Sequence, residues 1–295
     1  MVIKKSKSQI VFSVFNYLFF LVLIILCAYP LWYIFVQSLS GSVVAGKAVL
    51  VPYRFGLNNY AQVARLDGVF SAFGVSMART LIGTCCTVMC CMLLGYLFTK
   101  KTMPLRKFLY RMLMVTMYVS GGLIPAYITI KAYGLTNNFW VYILPYMVSA
   151  YYVILIKTYL EQLPESVEES AMLDGAGTMT IFLMIILPMS LPILATIAVY
   201  ASVAQWNAWF DNHIYNFATK ELTTMQYMLY KYLNEAERLT ELLEKSNMDI
   251  DPSKVLTPQG VRMTVTMVTV LPVLMFYPFL QRFFVKGIMI GAVKG

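Results

Sequence analysis

Apolar residues in this chain come in long runs rather than in short alternations. Uncharged or nearly uncharged stretches of about 20 residues or more recur, the length a helix needs to cross about 30 Å of hydrocarbon. Six spans can be drawn, over roughly 11–37, 70–99, 107–131, 138–160, 182–210 and 262–284. The pattern predicts an all-α polytopic membrane protein in which residues 1–295 form a single transmembrane domain of six helices. Pro30, the Gly121–Gly122–Pro125 group, Pro145, Pro188 with Pro192, and Pro272 with Pro278 should interrupt these spans. Broken helices persist in a bilayer where the freed backbone groups meet other helices or a water-lined cavity. That favours a transport path over a simple anchor.

Composition agrees with the pattern: 59% of the residues are hydrophobic and 13% charged, against about a quarter charged in soluble domains. The net charge of +9 is not spread as a nucleic-acid surface would require. It sits beside the apolar runs, at Lys4, Lys5 and Lys7, at Lys100, Lys101, Arg106, Lys107 and Arg111, and at Arg282, Lys286 and Lys294. Basic clusters of this kind orient helices with their positive loops in the cytoplasm. Six crossings then leave both termini in the cytoplasm. Trp32, Trp140, Trp206 and Trp209 all fall at span ends that this topology places outside, where tryptophan prefers the membrane interface. The first run is longer than a signal-peptide core and no A-x-A site follows, so it reads as an uncleaved helix. Cys27, Cys85, Cys86, Cys90 and Cys91 lie in apolar runs without metal or redox spacing and read as packing residues.

Catalytic chemistry is absent from the pattern. Residues 41–48, GSVVAGKA, match G-x-x-x-x-G-K, but Ala48 stands where a magnesium-binding hydroxyl is needed, and no strand–loop–helix context surrounds it. His213 is the only histidine, and no carboxylate lies near the centre of a span. The chain is therefore no enzyme, and any ATP and Mg used by the system must be bound by another polypeptide. Two long segments, 38–68 and 211–261, fall outside. The second holds a charged amphipathic stretch, Leu222 to Lys245, that either covers the mouth or contacts an external protein.

The polar island 161–181 carries the most specific text. Pro164 ends the preceding helix, and Ser166 with Glu169 spells S-x-x-E, a capping box contributing about 1 kcal/mol to a new helix. Gly175 permits a tight turn, and Thr178 is placed to cap a second short helix. Ser170, Ala171, Ala176 and Gly177 are small enough for a partner backbone to approach. Glu168, Glu169 and Asp174 are available to pair with basic groups. The expected result is a rigid helical knob facing the cytoplasm.

Glu169-Ser170-Ala171, three residues, Gly175, nine residues and then Ile185-x-Leu187-Pro188 resembles the signature loop of binding-protein-dependent ABC importer permeases. The usual second position is alanine, and Ser170 departs from it conservatively. Arg79-Thr80-Leu81 and the ending QRFFVKGIMIGAVKG resemble the carbohydrate-uptake class, in particular the oligosaccharide-type permeases of Gram-positive bacteria. The resemblance covers nearly the whole chain. It implies a type I importer in which this chain works by alternating access. It also implies a second permease subunit (a heterodimer), a cytoplasmic ATPase dimer, an extracellular solute-binding lipoprotein and an oligosaccharide substrate. The 161–181 loop is then the coupling helix, seated in a groove of the ATPase.

Arg79 is placed within the second span, where an unpaired charge near the centre costs about 2.5–3.5 kcal/mol on insertion scales. Three contacts are open to it on the bundle interior: substrate, a helix-end carbonyl or the other permease. Snorkelling to the surface is the alternative. Tyr127, Tyr151, Trp206 and Trp209 could stack on sugar faces, although anchoring and packing account for most such residues. An ion-coupled secondary transporter is the competing class and would require intramembrane carboxylates.

Overall fold

A computed structural model describes residues 6–40, 50–234 and 260–275. Among these residues the chain is helical, and an isolated bridge between Ser40 and Phe55 is its one pairing of extended backbone. The decoy at 41–48, the acidic and basic part of the amphipathic stretch beyond 234, and the C-terminal basic cluster lie outside the described residues. The chain divides into two compact units, 1–67 with 231–270, and 68–230 with 271–295.

In the first unit, α1 (Lys7–Ser38) is a single 32-residue helix, of which only the last three residues are buried. Ser6 and Gln9 cap it reciprocally, each side chain accepting from the other's backbone N–H. The helix runs through Pro30 without stopping, which corrects the expected interruption there. Proline removes one donor from the ladder, and a long apolar helix tolerates that local loss. The helix ends at a polar knot. Asn59, on α2 (Asn58–Arg65), donates through Nδ2 to the carbonyls of Ser38 and Ser40 at 3.1 and 2.9 Å, and Thr264 donates to the Ser38 carbonyl at 3.3 Å. A Cβ on Gly260 would stand 2.6 Å from Asn59 Nδ2, so the chain comes this close only as glycine.

The second unit is built around α3 (Val69–Thr99), a 31-residue helix about 46 Å long at 1.5 Å per residue. α6 (Ala150–Leu160) and α10 (Leu191–Asn207) pack along it. Its contact faces carry small residues: a Cβ at Gly95 would stand 2.7 Å from Ile156, and one at Gly83 would stand 2.7 Å from Gln205. Cys91, Met92, Tyr96, Ile156, Ile181 and Ile197 form the buried apolar core between these helices. Cys91 is thus a packing residue, and all five cysteines are free thiols.

Among the described residues two helices, α1 and α3, are long and apolar enough to span a bilayer singly, and two bent pairs raise that number to four. Phe139–Tyr146 meets α6 at 46°, and Thr178–Met189 meets α10 at 77°. The bends fall where Pro145 and the Pro188–Pro192 pair were expected to interrupt the helices. The expected 107–131 span is not continuous: α4 (Arg106–Val115) and α5 (Leu123–Ala132) are separated at the Gly121–Gly122 pair, where Gly122 takes φ +83°. The last span is described as an apolar helix over Gly260–Met275, which contains Pro272 without breaking. Trp206 is 4% exposed and packs edge-on against Phe73 at 6.0 Å. Its position therefore reflects packing inside the protein rather than interfacial anchoring.

Gly95→Val should force a branched side chain into Ile156 and destabilise the protein by about 1–3 kcal/mol. Gly74 has open space around its missing Cβ, so Gly74→Ala should leave stability unchanged or slightly raised. Thermal unfolding of the two detergent-purified variants measures the contrast.

Candidate functional site

Polar chemistry collects at two places on α3. In its N-terminal half, Arg79 is 1% exposed and does not snorkel. α10 stops at Asn207, and its extended cap residue Ala208 turns the chain into α11 (Phe210–Tyr215), bringing Asp211 back toward α3. The pair is bidentate: Nη1 donates to Oδ1 at 3.1 Å and Nη2 to Oδ2 at 2.5 Å. Gln205 Oε1 accepts from Nε and Nη2 at 3.2 and 3.1 Å, and the Ala208 carbonyl accepts from Nη1 at 3.2 Å. All five guanidinium donors can thus be used. The Arg79 guanidinium also lies over the Tyr142 ring, 4.5 Å from its centroid. The helix-end carbonyl reading of Arg79 is therefore realised, alongside an aspartate that sequence reasoning did not pair with it.

The surrounding loops are fixed by their own bonds. Tyr142 donates to the Leu222 carbonyl at 2.7 Å, Asn212 Oδ1 accepts from the Thr224 N–H at 2.7 Å, and Ser76 Oγ accepts from the Met225 N–H at 2.8 Å. Burial, reinforced by the Asp211 charge, pushes the Tyr215 phenol above its usual range.

Beside the ion pair opens a cavity of about 410 Å³, lined among others by Arg79, Tyr146, Tyr152, Gln205, Trp209 and Asp211. That volume falls within the range of small-molecule sites, about 300–1,000 Å³. Arg79 and Trp209 are the two expected path residues on this wall. Trp209 stacks on Tyr230 with centroids 4.1 Å apart. Tyr127 stacks instead on Tyr215 at 6.0 Å, Tyr151 is 50% exposed beside Tyr152, and Trp206 is buried away from the lining.

At the C-terminal end of α3 lies the 161–181 segment. α7 (Glu165–Leu173) begins directly after Pro164, whose extended backbone serves as the cap. Ser166 is therefore inside the first turn, and the predicted Ser166–Glu169 capping box does not form. Proline fixes the φ of the chain entering the helix and pre-empts the serine two residues on. Likewise Thr178 is the first residue of α8 (Thr178–Ile181), with Gly177 as its cap. Gly175 takes φ +85°. Its N–H reaches the Met172 carbonyl at 3.0 Å, and the Ala176 N–H reaches the Ala171 carbonyl at 3.0 Å. This pair of bonds is a Schellman closure, and Ala176 packs against the buried cluster to which Ala171 belongs.

Glu168 is not free: it pairs with Lys100. Glu169, Ser170 and Asp174 are exposed, as are Met172 at 51%, Leu173 at 89% and Met179 at 62%. Past α8, Leu187 and Pro188 lie in α9 (Leu187–Met189), which follows a π-helical turn over Phe182–Ile186. No group of three or more His, Cys, Asp or Glu able to hold a metal occurs among the described residues.

Residues 91–211, from the core of α3 through this knob to Asp211, match the family of binding-protein-dependent transport system inner membrane components. The chain is 31% identical to the polygalacturonan/rhamnogalacturonan transport system permease protein YtcP of Bacillus subtilis (strain 168), over 96% of this chain and 98% of that one. It belongs to that family. The permease is also 32% identical to Protein LplC of the same organism, over 98% of this chain and 97% of that one. Its fold matches a bacterial ABC transporter involved in the import of the acidic polysaccharide alginate, with TM-score 0.84 and 22% identity over 96% of this chain and 100% of that one.

Removing one member of a buried ion pair strands the other, at a cost of about 3–5 kcal/mol. Arg79→Met and Asp211→Leu should each lower the permease's unfolding temperature strongly. The double variant should recover much of the loss, since a buried pair replaced by apolar groups can be near neutral. Thermal unfolding of the three purified proteins checks the non-additivity.

Proposed function

We propose that this permease is the transmembrane subunit of an ATP-driven importer for oligosaccharides or related sugars. The chain crosses the membrane six times with both termini in the cytoplasm. It works with a second permease, a cytoplasmic ATPase dimer that binds ATP and Mg, and an extracellular solute-binding lipoprotein. Family membership and the names of YtcP and the alginate importer support the sugar class. The cavity beside Arg79 and Asp211 is the candidate stretch of the sugar path, with Trp209 and Tyr152 as aromatic surfaces for pyranose faces.

The observation that carries the reading is the built form of the knob. A nine-residue helix is closed by a left-handed glycine and fixed to the core through Ala171. Met172 and Leu173 of this helix, and Met179 of α8 beyond the glycine, are exposed, as are Glu169 and Asp174. Apolar side chains rimmed by acids suit a groove on a protein partner. Closure of the ATPase dimer pushes on this helix, and the helix bundle rocks to open the cavity outward. Hydrolysis then resets it inward. The secondary-transporter reading needs a carboxylate free to take an ion, and the buried acid among the described residues, Asp211, is already paired.

Glu169→Ala and Gly175→Val should leave membrane insertion intact but separate ATP hydrolysis from uptake, the glycine variant through strain at φ +85°. Uptake and ATPase rates of the reconstituted complex measure this. Wild-type uptake and ATPase association in both variants would overturn the coupling role.

A further inference from the structure

The coupling knob and α3 meet end to end, and their charges match. The C-terminus of α3 carries Lys100 as its cap residue and Lys101 next to it, and the first turn of α7 carries Glu165 and Glu168. Each set has the sign that stabilises its own helix end. They are also opposite in sign to each other. Lys101 and Glu165 are both about four-fifths exposed at 3.7 Å, a geometry in which ion pairs contribute little.

Lys100 and Glu168 differ from that outer pair. Their side chains are only 18% and 23% exposed, and they are in direct contact. Lys100 Nζ also stands over the ring of Tyr96, 4.2 Å from its centroid. Tyr96 is 2% exposed and packs on Phe182 with centroids 5.1 Å apart. The ammonium is therefore held between an acid of the knob and an aromatic ring of α3. That ring in turn touches the helix leaving the far side of the knob. Arg106 Nη1 donates to the Thr99 carbonyl at 3.2 Å, so the end of α3 is closed by a second cation.

We propose that Lys100, Glu168 and Tyr96 form a positioning bracket that makes the knob and α3 move as one body. Force on α7 then enters α3 directly, and not only along the covalent path through α8 to α10. α3 carries Arg79 some thirty ångströms further along (20 residues at about 1.5 Å each), so the bracket connects the knob to the cavity wall. This inference rests on the coupling role proposed for α7.

The test uses the complete transporter in proteoliposomes, with labelled oligogalacturonides as the transported probe. Lys100→Glu and Glu168→Lys should each lower uptake per ATP hydrolysed by roughly tenfold. The double swap should return the ratio to near wild type. A merely structural role would lower assembly, not the ratio. Wild-type ratios in the single variants, or no recovery in a double swap that assembles normally, would overturn the proposal. A second arm needs no transported solute. In a background with the native cysteines replaced, Lys100→Cys and Glu168→Cys are bridged by a short bis-methanethiosulfonate linker. ATP turnover should persist in the bridged complex, whereas turnover lost on bridging and regained on reduction would show that α7 must slide past α3. If the Glu169 and Gly175 variants also couple normally, the coupling role fails. If they uncouple while the Lys100 and Glu168 variants do not, the bracket alone fails.

Discussion

The second unit depends on a cation that has nowhere to go but inward. Arg79 sits on a helix whose length and composition suit the hydrocarbon, and an unpaired guanidinium there is costly. The fold satisfies it from α10 and α11, with Asp211, Gln205 and the terminal carbonyl of Ala208. Three features follow. α10 must end at Asn207 so that its cap carbonyl is available. Position 83 must be glycine, because Gln205 occupies the space a Cβ would take. The chain after Ala208 must turn back, and α11 with its bonds to Thr224 and Asn216 holds that turn. The cavity wall is the by-product of these constraints. Its charged members are already neutralised by each other, leaving aromatic, hydroxyl and amide groups as the rest of its polar lining.

Legibility in the sequence followed the range of the interaction. The apolar runs predict α1 and α3 within a few residues, because a helix in lipid must satisfy its backbone internally whatever its neighbours do, whereas α6 and α10 start 12 and 9 residues inside the runs drawn for them. The Gly–Gly–Pro and Pro–x–x–x–Pro segments likewise mark real discontinuities. Pro30 and Pro272 do not, although they look the same in the text. A lone proline costs one bond, whereas a break needs a glycine at positive φ, such as Gly122, or a residue such as Ser190 that leaves the helical register. The same local competition decides the start of α7. Ser166 and Glu169 spell a box, but Pro164 begins the helix before the box can act.

Asp211 was hidden for a different reason. It lies one residue beyond the fifth apolar run, and by sequence it is an ordinary acid in an outer loop. A usable signal existed: a lone arginine in one span and a lone acid at the matching end of another, each requiring a partner. Gln205 left no such signal, since its role depends on the close approach at Gly83. Glu168 was legible as an acid on the knob. That Lys100 had already taken it depends on α3 ending beside α7, which no local pattern encodes.

Two cations on α3 thus solve one problem in two ways. Arg79, deep in the buried part of the helix, is locked by five directed hydrogen bonds, so its geometry is stiff and its removal leaves an unpaired acid. Lys100, at the C-terminal cap, is held by one carboxylate of the knob and one ring of α3, both partly shielded from water. Fewer contacts suffice there, because a lysine near the surface keeps part of its ammonium in water and an arginine in the interior does not. The first arrangement fixes the cavity wall to α10 and α11. Under the proposed coupling role, the second ties the knob to α3, and the stiff helix between the two clusters is what joins knob to wall.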